Sequence, residues 1–294
     1  MNYKNPGRLG RVHLDTTAIS QAINSLSSTN LWRRGPGRGG SFFQRCSRLA
    51  LALFFSLTFI SQKSHAANPS AKISSALQPF VESHSLAGAV TLVANKDDIL
   101  SINCVGYSDV AAQKPMKPDS MFWIASQSKP MTTTAFMMLV DEGKVSVDDP
   151  VEKYLPEFKG QMLVAERNGD HVVLKKPSHP ILIREILSHT SGLPFSSRPE
   201  QPTLDALPLR EAVMTYAMSP LEFEPGTKYA YANAGINTAA RIIEVVSGMP
   251  YEEFMRQRLF KPLGMKDTTF WPTESQERRI AKSYKPNAAK NDLE

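Results

Sequence analysis

The spacing of apolar side chains after residue 66 predicts a helix followed by two strands. Helical spacing relates four apolar residues near the beginning of this part, Ile73, Leu77, Phe80 and Val81. A β-branched run at 89–93 and a second apolar run at 99–105 flank the turn-forming sequence Asn-Lys-Asp-Asp at 95–98. Together these runs predict an antiparallel β-hairpin.

The middle of the chain is predicted to be mainly helical. Residues 132–142 are apolar nearly all round and end at Gly143, which predicts a buried helix. Further helices are predicted at 181–187, 209–218, 232–246 and 251–260. The whole pattern predicts an α/β (α+β) fold, in which an antiparallel sheet is flanked by helices and joined to a mostly helical region.

One segment in this helical part alternates between polar and apolar residues. It runs from 162 to 174 and contains Asn168-Gly169, a dipeptide typical of a type I′ hairpin turn. We therefore predict a surface hairpin, inserted near 162–174.

The composition is that of a globular protein whose positive charge is confined to one end. Of the 294 residues, 41% are hydrophobic and 21% are charged. The formal net charge is +6, but residues 1–66 contain nine of the 34 Lys and Arg residues and only one of the 28 Asp and Glu residues. The remaining chain is slightly acidic, which argues against binding to nucleic acid.

Residues 1–66 have the features of a leader for export. Arg45 and Arg48 precede a 12-residue apolar run at 49–60, and Ser-His-Ala-Ala follows at 64–67. The run is too short to span a bilayer, so we predict a signal peptide. The alternative is an uncleaved signal anchor. The predicted mature domain, 67–294, is periplasmic or secreted and has no stable membrane span.

The leader also decides how the cysteines are interpreted. Cys46 lies inside the leader, so Cys104 has no partner for an internal disulfide after cleavage. We predict that Cys104 is a strand residue rather than a catalytic thiol.

Ser126 and Lys129 are candidates for a nucleophile and its base. They lie just before the predicted buried helix, and a spacing of three residues places them on one helical face. A serine hydroxyl becomes a useful nucleophile when a neighbouring group takes its proton, and a helix N-terminus stabilises the developing negative charge. The alternative interpretation is structural, with Ser128 as the cap of the helix.

Tyr231 and Asn233 form a second candidate site element, on a turn before the helix predicted at 232–246. A tyrosine near a lysine can transfer a proton between nucleophile and leaving group, and an asparagine amide can hold a substrate carbonyl. A buried tyrosine followed by a helix cap is the alternative.

Taken together, these segments resemble the serine β-lactamase and penicillin-binding-protein superfamily, in particular its class C β-lactamase-like branch, which includes DD-peptidases and esterases. The resemblance runs from about residue 70 to residue 270. The matching blocks, in order, are 122–129 (FWIASQSK), 139–144 (LVDEGK), 148–151 (DDPV), 154–157 (YLPE), 186–194 (ILSHTSGLP), 225–227 (PGT) and 231–235 (YANAG).

The resemblance implies a β-lactamase/transpeptidase-like fold and a serine hydrolase that works through an acyl-enzyme without a cofactor. Ser126 would be acylated, and its backbone N–H would supply half of an oxyanion hole. Lys129 would accept the serine proton, and Tyr231 would act as acid and base. Asn233 would bind the amide of the acyl group. The substrate would be a small molecule or a peptidoglycan-like peptide with an amide, β-lactam or ester bond.

The histidines are predicted to have no catalytic or metal-binding role. By residue type, His189 could be the base of a Ser-His-Asp triad, but the resemblance puts its block in a loop that packs the helical region. We therefore predict that His189 is structural. The six histidines show no paired ligand spacing, so no metal site is predicted.

The sequence departs from the family in one respect. No Lys-Thr-Gly or His-Thr-Gly follows Asn233, although in the family this third motif lies on a strand that walls the pocket and donates the second oxyanion N–H. We therefore expect an incomplete sheet and hypothesise that the 294 residues are a partial reading frame. The alternative functions are a non-catalytic, penicillin-binding-like ligand-binding or sensor domain and an inactive truncated product.

Overall fold

The computed structural model describes residues 69–201, 203, 207–287 and 292–293. The predicted signal peptide and Cys46 lie outside these residues. The helices are α1 (Pro69–Glu82), α2 (Ser128–Asp141), α3 (Ile183–Leu187), α4 (Leu209–Met218), α5 (Asn233–Ser247), α6 (Tyr251–Phe254) and α7 (Glu274–Glu277). The strands are β1 (Gly88–Ala94), β2 (Ile99–Asp109), β3 (Lys114–Pro115), β4 (Leu163–Asn168) and β5 (His171–Lys175). Short 3₁₀ turns cover Ala125–Gln127, Val151–Lys153, Pro156–Phe158 and Arg198–Glu200, and a π-helical segment covers Met255–Phe260.

The first sheet is the hairpin predicted near the beginning of the domain. Strands β1 and β2 pair antiparallel, and the short strand β3 adds to the other edge of β2. Alternate residues of β2 are buried, because α1 covers one face of the sheet. Ser74 of α1 donates a hydrogen bond to Asn103 of β2 at 3.4 Å. The predicted fold class, antiparallel sheet plus helices, is confirmed, with sheets that are small.

A second two-stranded sheet, β4 and β5, occupies the segment where an alternating pattern predicted a hairpin. The turn differs from the predicted type I′. Asn168 pairs with His171, so the two loop residues are Gly169 and Asp170. Of these two, only Gly169 has a positive φ, at 57°. A glycine at the first loop position is typical of a type II′ turn.

Helix α2 begins earlier than the predicted 132–142 and is less buried than expected. It starts at Ser128 and includes Pro130. The proline is tolerated because it falls in the first helical turn, where no backbone donor is required. Its buried side chains lie on one face, and Met137 on the opposite face is 37% exposed. The apolar composition of the helix therefore overstated its burial.

Helix α5 lies at the centre of the helical region, where α2, α3 and α4 all pack against it. Eight of its 15 residues are buried. Its contact with α3 is close, because a Cβ atom at Gly235 would lie 2.7 Å from the carbonyl oxygen of Ile186. This packing fixes the end of α3 beside the beginning of α5.

The helix predicted at 251–260 changes type along its length. Tyr251–Phe254 is α-helical and Met255–Phe260 is π-helical. Two pairs of buried residues five positions apart, Phe254 with Leu259 and Met255 with Phe260, account for the change. Hydrogen bonding from residue i+5 to residue i places such pairs on one face, whereas a 3.6-residue period would not.

Phe136 of α2 is fully buried, and its neighbour Met137 is exposed, which provides a matched pair for testing the packing of this helix. Phe136→Ala is expected to lower the free energy of unfolding by about 3–5 kcal/mol, because it leaves a cavity among α2, α5 and their neighbours. Met137→Ala is expected to change it by about 0.5 kcal/mol or less. Urea denaturation followed by circular dichroism measures both, and equal effects would contradict the described orientation of α2.

Candidate active site

Ser126 lies on a strained turn that leads directly into α2. The turn is the 3₁₀ segment Ala125–Gln127, and Ala125 has a φ of 42°, which is rare for a residue with a side chain. Such strain occurs preferentially at functional sites. The Ser128 hydroxyl donates to the carbonyl oxygen of Ala125 at 2.7 Å. The N-cap is Gln127, which makes no side-chain cap bond, so Ser128 is not the helix cap.

The structure brings Ser126 and Lys129 into direct contact. Lys129 Nζ donates a hydrogen bond to Ser126 Oγ at 3.0 Å. Ser126 is exposed and Lys129 is half-buried, so the hydroxyl is accessible and the amine lies behind it. The first N–H groups of a helix have no intrahelical partner and carry the positive end of the helix dipole. The surroundings of Ser126 therefore favour negative charge on its side chain.

Tyr231 lies on the other side of the lysine, in the segment that leads into α5. Lys129 Nζ is 4.8 Å from the centroid of the Tyr231 ring. Partial burial acts to raise the pKa of Tyr231, but hydrogen bonds with Lys129 and Ser126, together with the lysine charge, outweigh it and lower the pKa below its usual value. Serine, lysine and tyrosine thus form one connected group in which a proton can move.

His189 also lies in this group, which the sequence did not predict. Its ring centroid is 4.6 Å from that of Tyr231, and its Nδ1 accepts a hydrogen bond from the Ala232 N–H at 3.3 Å. Desolvation and the Lys129 charge both lower the pKa of His189. We predicted a structural residue in a packing loop, but the imidazole lines the same cleft as Ser126. The position of the histidine next to Tyr231 depends on the contact between α3 and α5.

These side chains open into a cleft of about 640 Å³. Phe195 is 50% exposed, and its ring lies 6.3 Å from the Tyr231 ring, centroid to centroid. Both apolar and polar side chains line the cleft, so it can hold an apolar group next to a reacting polar one. The lining residues are Ile124, Ser126, Gln127, Lys129, Pro130, Thr133, Leu187, His189, Tyr231 and Ile236. Sequence patterns identified Ser126, Lys129 and Tyr231 among these residues. They did not identify Leu187 or Ile236, since apolar residues at helical spacing are indistinguishable from core.

Asn233 is placed differently from the other predicted site residues. It is the first residue of α5, half-buried, and its backbone N–H donates to the carbonyl oxygen of Phe195 at 3.0 Å. Asn233 is not among the described residues that line the cleft. Its binding of an acyl amide stays a prediction.

Among the residues that the structure describes, the free cysteine does not line the cleft. Cys104 lies in β2, as predicted, where burial and the charge of Asp119 raise the pKa of its thiol. In the part of the chain that the structure describes, no three His, Cys, Asp or Glu side chains are grouped so that they could hold a metal ion. None of the described helices combines the length and the apolar composition needed to cross a membrane.

Comparison with known proteins identifies the family of this site. The family model described as Beta-lactamase matches residues 73–294. Penicillin-binding protein 4* of Bacillus subtilis is 31% identical over 205 residues, which are 68% of this chain and 41% of that protein. Esterase EstB of Burkholderia gladioli is 30% identical over 232 residues, which are 74% of this chain and 55% of the esterase.

A solved structure gives the same result for the fold. EstCE1, described as a hydrolase with promiscuous acyltransferase activity, superposes with a TM-score of 0.64 and 28% identity, covering 76% of this chain and 58% of EstCE1. The chain spans about half the length of the curated relatives it matches.

The pKa of Tyr231 is expected to depend on Lys129. Lys129→Met should raise it, because the substitution removes both a hydrogen bond and a positive charge from the phenol. The ¹³Cζ chemical shift of labelled tyrosine, followed against pH and assigned with Tyr231→Phe, measures this change.

Lys228→Met is the matched control. It removes an exposed lysine that precedes Tyr231 by three residues. The Nζ of this lysine lies 5.7 Å from the centroid of the Phe223 ring. This variant should leave the titration of Tyr231 unchanged. If Lys129→Met also leaves it unchanged, the described contact between lysine and tyrosine is wrong.

Proposed function

Because the chain belongs to the Beta-lactamase family, we propose that it is a serine hydrolase that acts through an acyl-enzyme on Ser126. The observation that carries the proposal is the 3.0 Å contact between Lys129 Nζ and Ser126 Oγ at the beginning of α2. The site lies in an open cleft, so an acyl donor can reach the hydroxyl.

In the proposed first step, Ser126 Oγ attacks the carbonyl carbon of the substrate. In the form of the site that reacts, the amine of Lys129 is neutral and takes the hydroxyl proton across the 3.0 Å that separates Oγ and Nζ, and the carbonyl oxygen becomes negatively charged. The backbone N–H of Ser126, in the 3₁₀ turn that leads into α2, is the proposed donor for this oxygen. The positive end of the α2 dipole stabilises the same charge.

In the second step, the leaving group takes a proton as its bond to the carbonyl carbon breaks. Tyr231 supplies this proton and recovers one from Lys129, whose amine lies 4.8 Å from the centroid of the tyrosine ring. A lowered tyrosine pKa favours the role, because a stronger phenolic acid donates its proton more readily. The product is an ester between Ser126 and the acyl group, which water hydrolyses in a third step.

The proposed substrates are small molecules or peptidoglycan-like peptides with an ester, amide or β-lactam bond. A penicillin-binding protein and an esterase are both about 30% identical to the chain, so the resemblance supports each bond type. The apolar members of the cleft, Ile124, Leu187 and Ile236, fit the apolar part of an acyl group.

Acylation is expected to require both Ser126 and Lys129. With p-nitrophenyl butyrate and with benzylpenicillin, Ser126→Ala should give no covalent adduct, since the attacking oxygen is absent. Lys129→Met should slow acylation by about 10²–10⁴-fold, the usual contribution of a general base. Intact-protein and peptide mass spectrometry locate the adduct, and nitrophenol release gives the rate.

Thr134→Ala is the matched control, because it removes an exposed hydroxyl from the same helix. In the described structure this hydroxyl donates a hydrogen bond to the carbonyl oxygen of Pro130. It should acylate at the wild-type rate. A folded wild-type chain that forms no adduct with either reagent would show that the proposal is wrong and would favour ligand binding without turnover.

We further propose that residues 1–66 export the domain, as the apolar run at 49–60 suggests. Residues 1–70 fused to alkaline phosphatase, which is active only outside the cytoplasm, should give an active enzyme cleaved near Ala66. The same fusion without 49–60 should be inactive. Equal activity of the two fusions would refute export by this segment.

A further inference from the structure

We propose that His189 is a positioning residue for Tyr231: it fixes the phenol beside Lys129 by holding the residues on both sides of the tyrosine. The inference rests on the proposed role of Tyr231 in proton transfer, and it assigns to His189 neither the part of a triad base nor that of a remote packing residue.

The backbone of His189 makes the first contact with the tyrosine segment. The carbonyl oxygen of His189 accepts a hydrogen bond from the Ala230 N–H at 2.9 Å. Next along the chain, Thr190 accepts the Gly226 N–H at 2.8 Å through its carbonyl oxygen. The loop after α3 therefore runs alongside the segment that leads into α5.

The side chain of His189 makes the second contact, two residues further on. Its Nδ1 accepts the Ala232 N–H at 3.3 Å, so the backbone is held immediately before and immediately after Tyr231. The ring packs on the phenol with centroids 4.6 Å apart and planes tilted by 36°. On another side, the ring meets the edge of Tyr229 at a centroid distance of 5.9 Å. The carbonyl oxygen, the Nδ1 atom and the ring of His189 thus each contact Tyr231 or a residue next to it.

The conformation of His189 shows that its side chain matters. The residue has a φ of 60°, a left-handed conformation that glycine adopts at no steric cost. Histidine tolerates this region better than most residues, but glycine would be the simplest solution if only the backbone contact were needed. The imidazole is therefore the reason for a strained residue at this position.

The hydrogen bond also determines the form of the imidazole. A ring nitrogen that accepts an N–H has a free lone pair, so His189 is neutral with its proton on Nε2. A neutral ring suits this place, because Lys129 supplies the positive charge that stabilises a tyrosinate once it has taken the serine proton. The hydroxyl of Ser126 is bonded to Lys129 rather than to this histidine. The geometry therefore assigns proton transfer to the lysine and tyrosine, and alignment to His189.

Two substitutions separate the contacts of the side chain. His189→Asn tolerates positive φ and keeps an acceptor for the Ala232 N–H, so it should retain kcat to within about threefold. His189→Gly removes the acceptor and the ring and should lower kcat by about 10–100-fold, the effect of a small misplacement in a reacting group. The KM for p-nitrophenyl butyrate should change by less than about threefold, because a positioning role acts on the reacting phenol rather than on substrate binding. His171→Asn, on the exposed strand β5, is the control for the substitution type.

A double-mutant cycle tests whether His189 acts through Tyr231. In a Tyr231→Phe background, His189→Gly should cause almost no further loss of kcat, because the group that it aligns is gone. Full additivity of the two losses, in variants that remain folded by circular dichroism, would overturn the proposal. Equal kcat for the wild type and His189→Gly would overturn it as well.

A second readout needs no turnover and so separates this inference from the proposed function. In His189→Gly, the NMR-detected pKa of Tyr231 should rise toward its usual value, because the phenol no longer stays within reach of Lys129. If the wild type forms no acyl-enzyme but the Tyr231 titration still depends on His189, the proposed function fails and the positioning role stands. A titration that is identical in wild type and His189→Gly means that His189 does not position Tyr231.

Discussion

Burial of α5 is the constraint on which the candidate site depends. Helices α2, α3 and α4 pack against α5, and the apolar face of α5 is almost completely buried. Each of the contributing residues lies next to an end of one of these helices. Ser126 and Lys129 are at the beginning of α2, His189 follows α3, and Tyr231 precedes α5. The apolar packing of these helices therefore sets the distances between the polar side chains of the site.

The electrostatics of the site centre on one cation. Lys129 contacts the hydroxyl of Ser126 and faces the ring of Tyr231, and its charge lowers the pKa of both Tyr231 and His189. The effect on the two rings is opposite in kind. It favours the ionised form of tyrosine and the neutral form of histidine. One charge thus lowers the pKa of two neighbours, in each case toward the form that leaves a lone pair available.

The sequence predicted helices α1 to α6, the positions of both hairpins and the residues that form the Ser126, Lys129 and Tyr231 group, because these depend on local spacing and on short motifs. It did not predict the proximity of His189 to Tyr231, since they are 42 positions apart in the sequence and only the packing of α3 on α5 brings them together. The burial of α2 was overestimated because composition does not show which face meets a partner. The π-helical segment was missed for a related reason, since a five-residue spacing of apolar side chains only becomes meaningful once their burial is known.

Gly235 has a consequence for anyone who wishes to stabilise this protein. Replacing glycine by alanine within a helix is an ordinary way to raise thermal tolerance, because alanine restricts the unfolded chain and has a higher helix propensity. In α5 the added methyl group would meet the carbonyl oxygen of Ile186 at 2.7 Å and push two helices apart. Three residues beyond Ile186 is His189, and four residues before Gly235 is Tyr231. A hydrogen atom in the place of a methyl group is thus a requirement for bringing the two aromatic rings together, and a routine replacement of helical glycine by alanine would remove it.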